Sequence, residues 1–262
     1  MTSETSPENL RTFYADPSLL GARQQTYAAA NFVGWVLDRV SFDGVREVLD
    51  AGAGVGRFTV PVAGRVAGRV VATDLFPGML RAIGSPVKRC VADIQALPFT
   101  AGRFDLVLAN HVLYHLPDID LGVRELARVT SPAGTLVATT NADDIPVAVV
   151  DLHVAAQQRL GVATEPAGPS AFSLRNGEEV LRRSYDQVRL HTFRAEQVFA
   201  TAADLVAAHR TTGRFQAAAE QVDGDLGAAA ADVAADWAAR AGGSVTSPIV
   251  MGAFVCTGPR PD

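Results

Sequence analysis

Lysine is almost missing from this chain: Lys88 is the single one, and arginine supplies the rest of the 23 basic residues. With the heavy use of alanine and 23 glycines, this bias fits a GC-rich coding genome and a bacterial source. Basic residues are not in excess either. The 28 acidic residues set a formal net charge of -5 and a pI of about 5.5. That balance argues against a nucleic-acid backbone as partner, because phosphate binding draws on clustered Lys and Arg. Cysteine is limited to Cys90 and Cys256, both inside apolar strand-like runs. No disulfide framework is expected, each thiol reads as a small buried side chain, and a reducing cytoplasm fits. No apolar run approaches the length of a membrane span. The polar opening Met-Thr-Ser-Glu-Thr-Ser-Pro-Glu lacks the basic-then-apolar layout of a secretory leader. The expectation is a cytoplasmic protein with neither membrane nor nucleic acid as partner and with its oligomeric state left open. The 262 residues suffice for one large domain or a core with a cap.

Against this background residues 47–57 stand out: Glu-Val-Leu-Asp-Ala-Gly-Ala-Gly-Val-Gly-Arg. An apolar strand runs into an acid, Asp50, and then into glycines at alternate positions, Gly52, Gly54 and Gly56. A second apolar run, 69–74, ends in another acid, Asp74. The pair describes a strand–helix–strand unit that cradles an adenosine-containing cofactor. Glycine is needed where the backbone must bend sharply and come close to a ligand, since a Cβ would block both. A carboxylate at the end of the second strand can accept from both ribose hydroxyls. In the dinucleotide fingerprint G-x-G-x-x-G the third glycine falls one residue later than here. Asp50 would also repel a pyrophosphate, whereas it could hold a cationic amino group. Both features favour a cofactor with an amino-acid tail over a nicotinamide dinucleotide.

The rest of the pattern alternates. Strands are predicted over 45–50, 69–74, 87–92, 104–110 and 134–140, with helices over 57–66, 78–83 and 119–129. Such alternation implies a doubly wound parallel α/β sheet. Continuous apolar runs such as Leu106-Val107-Leu108-Ala109 suit strands buried on both faces. Residues 9–44 read as helical up to the break at Ser41-Phe42-Asp43-Gly44. Further on come a helix over 146–160, a Gly/Pro/Ser-rich loop over 161–173, a short helix over 176–183 and a strand over 188–193. Ala-rich helices over 202–210 and 225–240 precede a final strand over 249–256. The expected organisation is an N-terminal helical lid (1–44) and a cofactor-binding α/β core (45–140). The remainder of the sheet (141–262) carries helical cap insertions at 141–175 and 200–246.

On these residues the chain resembles the class I S-adenosyl-L-methionine (SAM)-dependent methyltransferases of the small-molecule type, closely over 45–140 and loosely over 176–257. The resemblance implies a seven-stranded Rossmann-like sheet with an antiparallel last strand. It also implies SAM as cofactor and S-adenosyl-L-homocysteine (SAH) as product. It assigns Asp50, Gly52, Gly54 and Gly56 to the cofactor loop, Asp74 to the ribose and Leu75 to the flank of the adenine. Met79 lies either near the adenine or in the core. Asp93 would accept from the exocyclic amine while the Ile94 N–H donates to a ring nitrogen. Asn110, ending the fourth strand, would face the methionine part. His115, in the stretch Tyr-His-Leu-Pro-Asp, would border the methyl-transfer cavity, either as a general base or as a loop-positioning residue. Tyr14, in the N-terminal helices, is a second catalytic candidate. His111 and His115 form a His-x-x-x-His pattern with no third ligand, so no metal is expected. Aromatic residues in the cap segments, among them Trp35, Phe172, Phe193 and Trp237, suit a planar or apolar small-molecule acceptor such as a secondary metabolite. One alternative is a SAM-binding protein on the same fold that does not methylate, a cyclase or a partner subunit. The other, a nicotinamide-dependent oxidoreductase, is opposed by the glycine spacing, Asp50 and the terminal strand.

Overall fold

The structure is a computed structural model that describes residues 31–85, 87–145, 147–164, 170–219 and 221–260. Tyr14 and most of the expected N-terminal lid lie outside the described residues. In chain order the elements are α1 (Phe32–Leu37), β1 (Glu47–Ala51), α2 (Thr59–Ala63), β2 (Arg69–Asp74), α3 (Pro77–Arg81), β3 (Lys88–Val91), β4 (Phe104–Asn110), α4 (Ile119–Val129) and β5 (Thr130–Asn141). They continue with α5 (Ala148–Arg159), α6 (Gly177–Leu181), β6 (Tyr185–Phe199), α7 (Ala202–Arg210), α8 (Gly213–Ala219), α9 (Leu226–Arg240) and β7 (Val245–Pro259). They divide between two compact units.

The first unit holds residues 31–143, 170–193 and 251–260 of those described. Its basis is a seven-stranded sheet in the order β3-β2-β1-β4-β5-β7-β6. The first five strands pair in parallel, and β7 runs antiparallel to β5. Because β1 lies between β2 and β4, the strand order reverses there. Ligands of such sheets bind outside the carboxyl ends of the strands at this switch point. Side chains alternate between faces along each strand. Leu49, Ala51, Val107, Ala109, Leu136 and Ala138 therefore join one core, packed against Val123 and Leu126 of α4. Asp50, Leu108 and Val137, which share a register level, belong to the opposite face.

Helix α4 shows why the local sequence folds as it does. Its buried residues Val123, Leu126 and Ala127 recur at helical spacing. Asp118 caps it, accepting from the Leu121 N–H at 2.9 Å, an interaction worth about 0.5–2 kcal/mol in comparable caps. Glu125 faces back toward the loop that follows β3. It accepts from the Leu97 N–H at 3.0 Å and from Arg128, which in turn donates to the Leu97 and Phe99 carbonyls. The hydrogen bond from Arg128 holds the Glu125 carboxyl below its ordinary range. This ion pair fastens the 93–99 loop to α4.

The second unit, 144–164 and 194–250 of the described residues, is mainly helical. Leu152, Ala156, Leu205, Ala230 and Ala234 form its fully buried centre. Alanine on facing helices permits close approach, which explains the Ala-rich composition of α9. Thr201 and Asp204 form a capping box at the start of α7, and Asp225 caps α9.

The alternating order of strands and helices follows the sequence expectation, and β2, β4, α4 and α7 have the expected bounds. Four differences have physical causes. Residues 32–37, expected in a lid, belong to the sheet unit, where Phe32, Val36 and Leu37 are buried. β5 begins at Thr130 rather than 134, at a register irregularity opposite Phe104 and Leu106. β6 and β7 extend well beyond their apolar centres, since backbone pairing continues where side chains are exposed. α8 was not expected, because it opens on a glycine and buries no residue. No described helix is long and apolar enough to cross a membrane.

Candidate active site

The site is built on the loop between β1 and α2. Gly52, Gly54 and Gly56 have φ of 72°, 54° and 88°, a left-handed conformation that side-chain-bearing residues adopt at a cost. At Gly52 a Cβ would also overlap the Val112 side chain, so the loop passes close to the segment that follows β4. Asp74, at the end of β2, fixes the loop. Its carboxylate accepts from the Gly54 N–H at 2.9 Å and from the Phe76 N–H at 2.9 Å. Burial raises the Asp74 carboxyl above its ordinary range, and these amides act against that shift. A carboxylate with two oxygens retains lone pairs for a further donor.

Asp50 takes a structural part that the sequence alone did not suggest. Only 1% exposed, it accepts from the Thr59 hydroxyl at 2.6 Å and also from the Thr59 backbone. The carboxylate thereby ties the strand before the glycine loop to the helix after it. Burial pushes its carboxyl up to about 7, and the charge of Asp74 adds to that. Thr59 carries no sequence signal beyond being a hydroxyl residue at a helix start.

Leu75, directly after β2 at the carboxyl edge of the sheet, is 55% exposed, a large apolar side chain open to a ligand. Met79 is different. It has no exposed surface and packs as a buried core side chain. Ile94 is buried in the main core, so only its backbone remains as a possible donor. Asp93 accepts from the Gln95 N–H at 2.8 Å and the Gln95 side chain, and Gln95 in turn accepts from the Asp118 N–H at 3.0 Å. Asp93 thus shapes its own loop and links it to the cap of α4.

At the end of β4, Asn110 has both amide atoms buried and without a hydrogen-bond partner among the described residues. Its register neighbour on β5, Thr139, has a buried hydroxyl in the same state. Leaving such groups unmatched costs roughly 1–3 kcal/mol each, which is sustained where a ligand or water completes the bonding. His111 follows with φ 52°, a strained conformation for a non-glycine residue. Its N–H donates to the Thr139 carbonyl at 3.0 Å, and its ring lies 5.6 Å from that of Phe32. Phe32 also contacts Phe58, Trp35 and Phe193, so an aromatic cluster holds α1 beside the site. His115 ends the short 3₁₀ turn Leu113–His115, its ring set edge-on to Tyr114 at 4.4 Å. Among the described residues no group of three His, Cys, Asp or Glu is placed to hold a metal ion.

This donor set fits an adenosyl group with an amino-acid tail. The loop offers backbone amides and room that side chains would fill. Asp74 can receive the ribose hydroxyls, Leu75 offers an apolar surface, and the Asn110 amide awaits a partner.

Comparison with known proteins covers the same part of the chain. Residues 49–138 match a family described as "Methyltransferase domain". A malonyl-[acyl-carrier protein] O-methyltransferase of Halorhodospira halophila is 39% identical over 102 residues, 36% of this chain and 35% of that protein. A demethylmenaquinone methyltransferase of Mycolicibacterium vanbaalenii is 42% identical over 92 residues, 35% of this chain and 40% of its own length. The chain thus spans well under half the length of these relatives. The phosphoethanolamine N-methyltransferase 2 of Haemonchus contortus, solved with SAM, superposes with a TM-score of 0.57 at 14% identity, over 94% of this chain and 58% of that one. At that identity the likeness concerns the fold alone.

Proposed function

The chain belongs to the class I SAM-dependent methyltransferases, and from that premise we propose that it moves the methyl group of SAM to a small, aromatic or apolar acceptor in the bacterial cytoplasm. The observation that carries the proposal is the left-handed glycine loop, clamped by the Asp74 carboxylate at Gly54. Bound SAM would supply an already activated sulfonium methyl. What falls to the protein is orientation at near-attack distance and exclusion of water. The glycine loop brings backbone amides to the cofactor. Asp74 takes the ribose hydroxyls, Leu75 covers one flank of the adenine, and Asn110 takes a polar group at the methionine end.

His115 we assign to positioning. Its ring is set against Tyr114 within a tight turn, and an activated methyl donor needs no general base when the acceptor arrives nucleophilic. The relatives named above carry malonyl-[acyl-carrier protein] and demethylmenaquinone in their names, which supports a small or carrier-borne acceptor rather than a polymer.

The test is calorimetry with SAM, SAH and NAD, followed by incubation with labelled SAM and a panel of phenols, indoles, amines and carboxylates read by mass analysis. Binding of SAM and SAH with methylation of one acceptor class is the expected result. Binding of NAD without SAM would overturn the proposal. Tight SAM binding with no transfer to any acceptor would move the protein to the non-methylating members of the fold.

A further inference from the structure

Five threonines are buried among the described residues of the sheet unit, and four of them use their hydroxyls. Thr59 donates to the Asp50 carboxylate at 2.6 Å, Thr73 to the Asp50 carbonyl at 3.4 Å, Thr130 to the Leu126 carbonyl at 2.7 Å and Thr140 to the Phe172 carbonyl at 3.0 Å. Thr139 has no exposed surface and no partner for its hydroxyl among the described residues. Valine has the same shape and would fill the position without that cost. Strand alternation fixes where the side chain points. Ala109 of β4, Ala138 of β5 and Phe254 of β7 belong to the core under α4. Asn110, Thr139 and Ala253, which lie side by side on the same three strands, therefore share the opposite face. Aromatic rings gather at this end of the sheet. Phe32 lies 5.6 Å from His111, which follows β4, and 5.3 Å from Phe193 on β6. Its ring thus reaches across the carboxyl ends of the two strands between them, β5 and β7.

We propose that Thr139 is the polar anchor of the methyl acceptor, and that the acceptor is a planar aromatic compound bearing a hydroxyl, phenol-like in its chemistry. The assignment rests on the methyltransferase reading above. β1 carries the glycine loop and β4 lies next to it. β5 is one strand spacing further out, roughly 4.7–4.9 Å. Thr139 is thereby displaced from the cofactor loop beyond Asn110, on the acceptor's side of the methionine end. A threonine hydroxyl both donates and accepts, so it can hold a phenol in either sense. The rings of Phe32 and His111 offer aromatic contact to the acceptor's ring, and Ala253 keeps the β7 side of Thr139 free of bulk. Both polar groups are enclosed, so an acceptor enters as the Phe32 ring moves aside, and its hydroxyl then supplies the bond that Thr139 lacks.

The experiment is calorimetry on the SAH-loaded protein with phenol and 2-naphthol, each beside its parent hydrocarbon, benzene or naphthalene. The wild type should bind 2-naphthol roughly tenfold or more tightly than naphthalene, since a site built to bond a hydroxyl rejects the analogue that lacks it. Thr139→Val should erase that preference, and Thr139→Ser, which keeps the hydroxyl, should retain it. SAH affinity should stay within about twofold in both variants, because the lost bond is not one to the cofactor. A thermal melt adds a second readout. Thr139→Val should melt no lower than the wild type, because it removes a buried polar atom without removing a bond. A lower melting temperature would make the hydroxyl structural and overturn the proposal. So would a preference for 2-naphthol that survives in Thr139→Val, a fall in SAH affinity equal to the fall for 2-naphthol, or no binding of either phenol to the SAH-loaded wild type. Failure of the wild type to bind SAH would instead count against the methyltransferase reading.

Discussion

The Asp74 carboxylate accepts the Gly54 N–H at 2.9 Å, so the acid that ends β2 holds the middle of the loop that leaves β1. Its other oxygen takes the Phe76 N–H. One side chain therefore sets the shape of two loops at the carboxyl edge of the sheet, and a ligand that touches either is coupled to both.

Asp74→Asn separates charge from shape. The amide keeps one acceptor but turns a donor toward a backbone N–H. SAH affinity should fall by roughly 10–100-fold, in line with about 1.5–3 kcal/mol for hydrogen bonds to a charged group. Calorimetry beside a thermal melt checks this. A folded variant with unchanged affinity would show that Asp74 serves the loop and not the ribose.

Asp50 predicts a pH dependence of stability. Its folded carboxyl is raised to about 7, mainly by burial, from an ordinary value near 3.8. The neutral form is favoured in the fold, so its contribution is fully present below pH 3.8 and is lost as pH rises through about 7. Asp50→Asn should remove this loss. Urea unfolding at pH 5 and pH 8 should show the variant gaining on the wild type at the higher pH. Equal shifts at both values would contradict the assignment.

In the helical unit His153 Nδ1 and His209 Nε2 lie 3.0 Å apart, both rings buried and His209 edge-on to Phe215. Burial pulls both histidines down to about 4, with the charges of Arg214 on His153, and of His153 and Arg210 on His209, adding to it. Here the folded state disfavours the proton. The contribution is present above pH 6.5 and drains away as pH falls toward 4. Hydrogen exchange should report earlier opening of 148–159 and 202–240 as the solution is acidified. His209→Gln, which cannot take up a proton, should reduce that acid sensitivity.

If His115 positions its turn, His115→Asn should retain transfer within about tenfold of the wild type, and rate against pH should show no histidine inflection. General-base catalysis would instead cost roughly 10²–10⁴-fold and give a rise near pH 6.5. Steady-state kinetics on the acceptor found by the panel decides between them.

Much of this was legible in the sequence. The strands of the parallel half announce themselves as continuous apolar runs, and the glycine loop has no other use for three glycines at alternate positions. The positions of Asp74 and Asn110 at strand ends followed from that. What the sequence hid depends on contacts between distant residues. Nothing marks Thr59 as the partner of Asp50, or Thr139 as the neighbour of Asn110. His111 looks like any loop histidine, yet its backbone is left-handed. Met79 sits at a spacing that suits an adenine wall or a core equally, and only burial separates the two.

The placement of β7 has a consequence for how the chain assembles. Among the described residues β6 joins the sheet through β7, which lies between it and β5 although it comes last in the chain. The five parallel strands can close in the order in which they emerge. β6 must then wait with both edges unpaired until α7, α8 and α9 have been made and β7 slots in. Non-local pairings of this kind form late and expose strand edges meanwhile. Completion of the sheet, rather than formation of the cofactor loop, is thus the step at which a newly made chain is most open to misassociation.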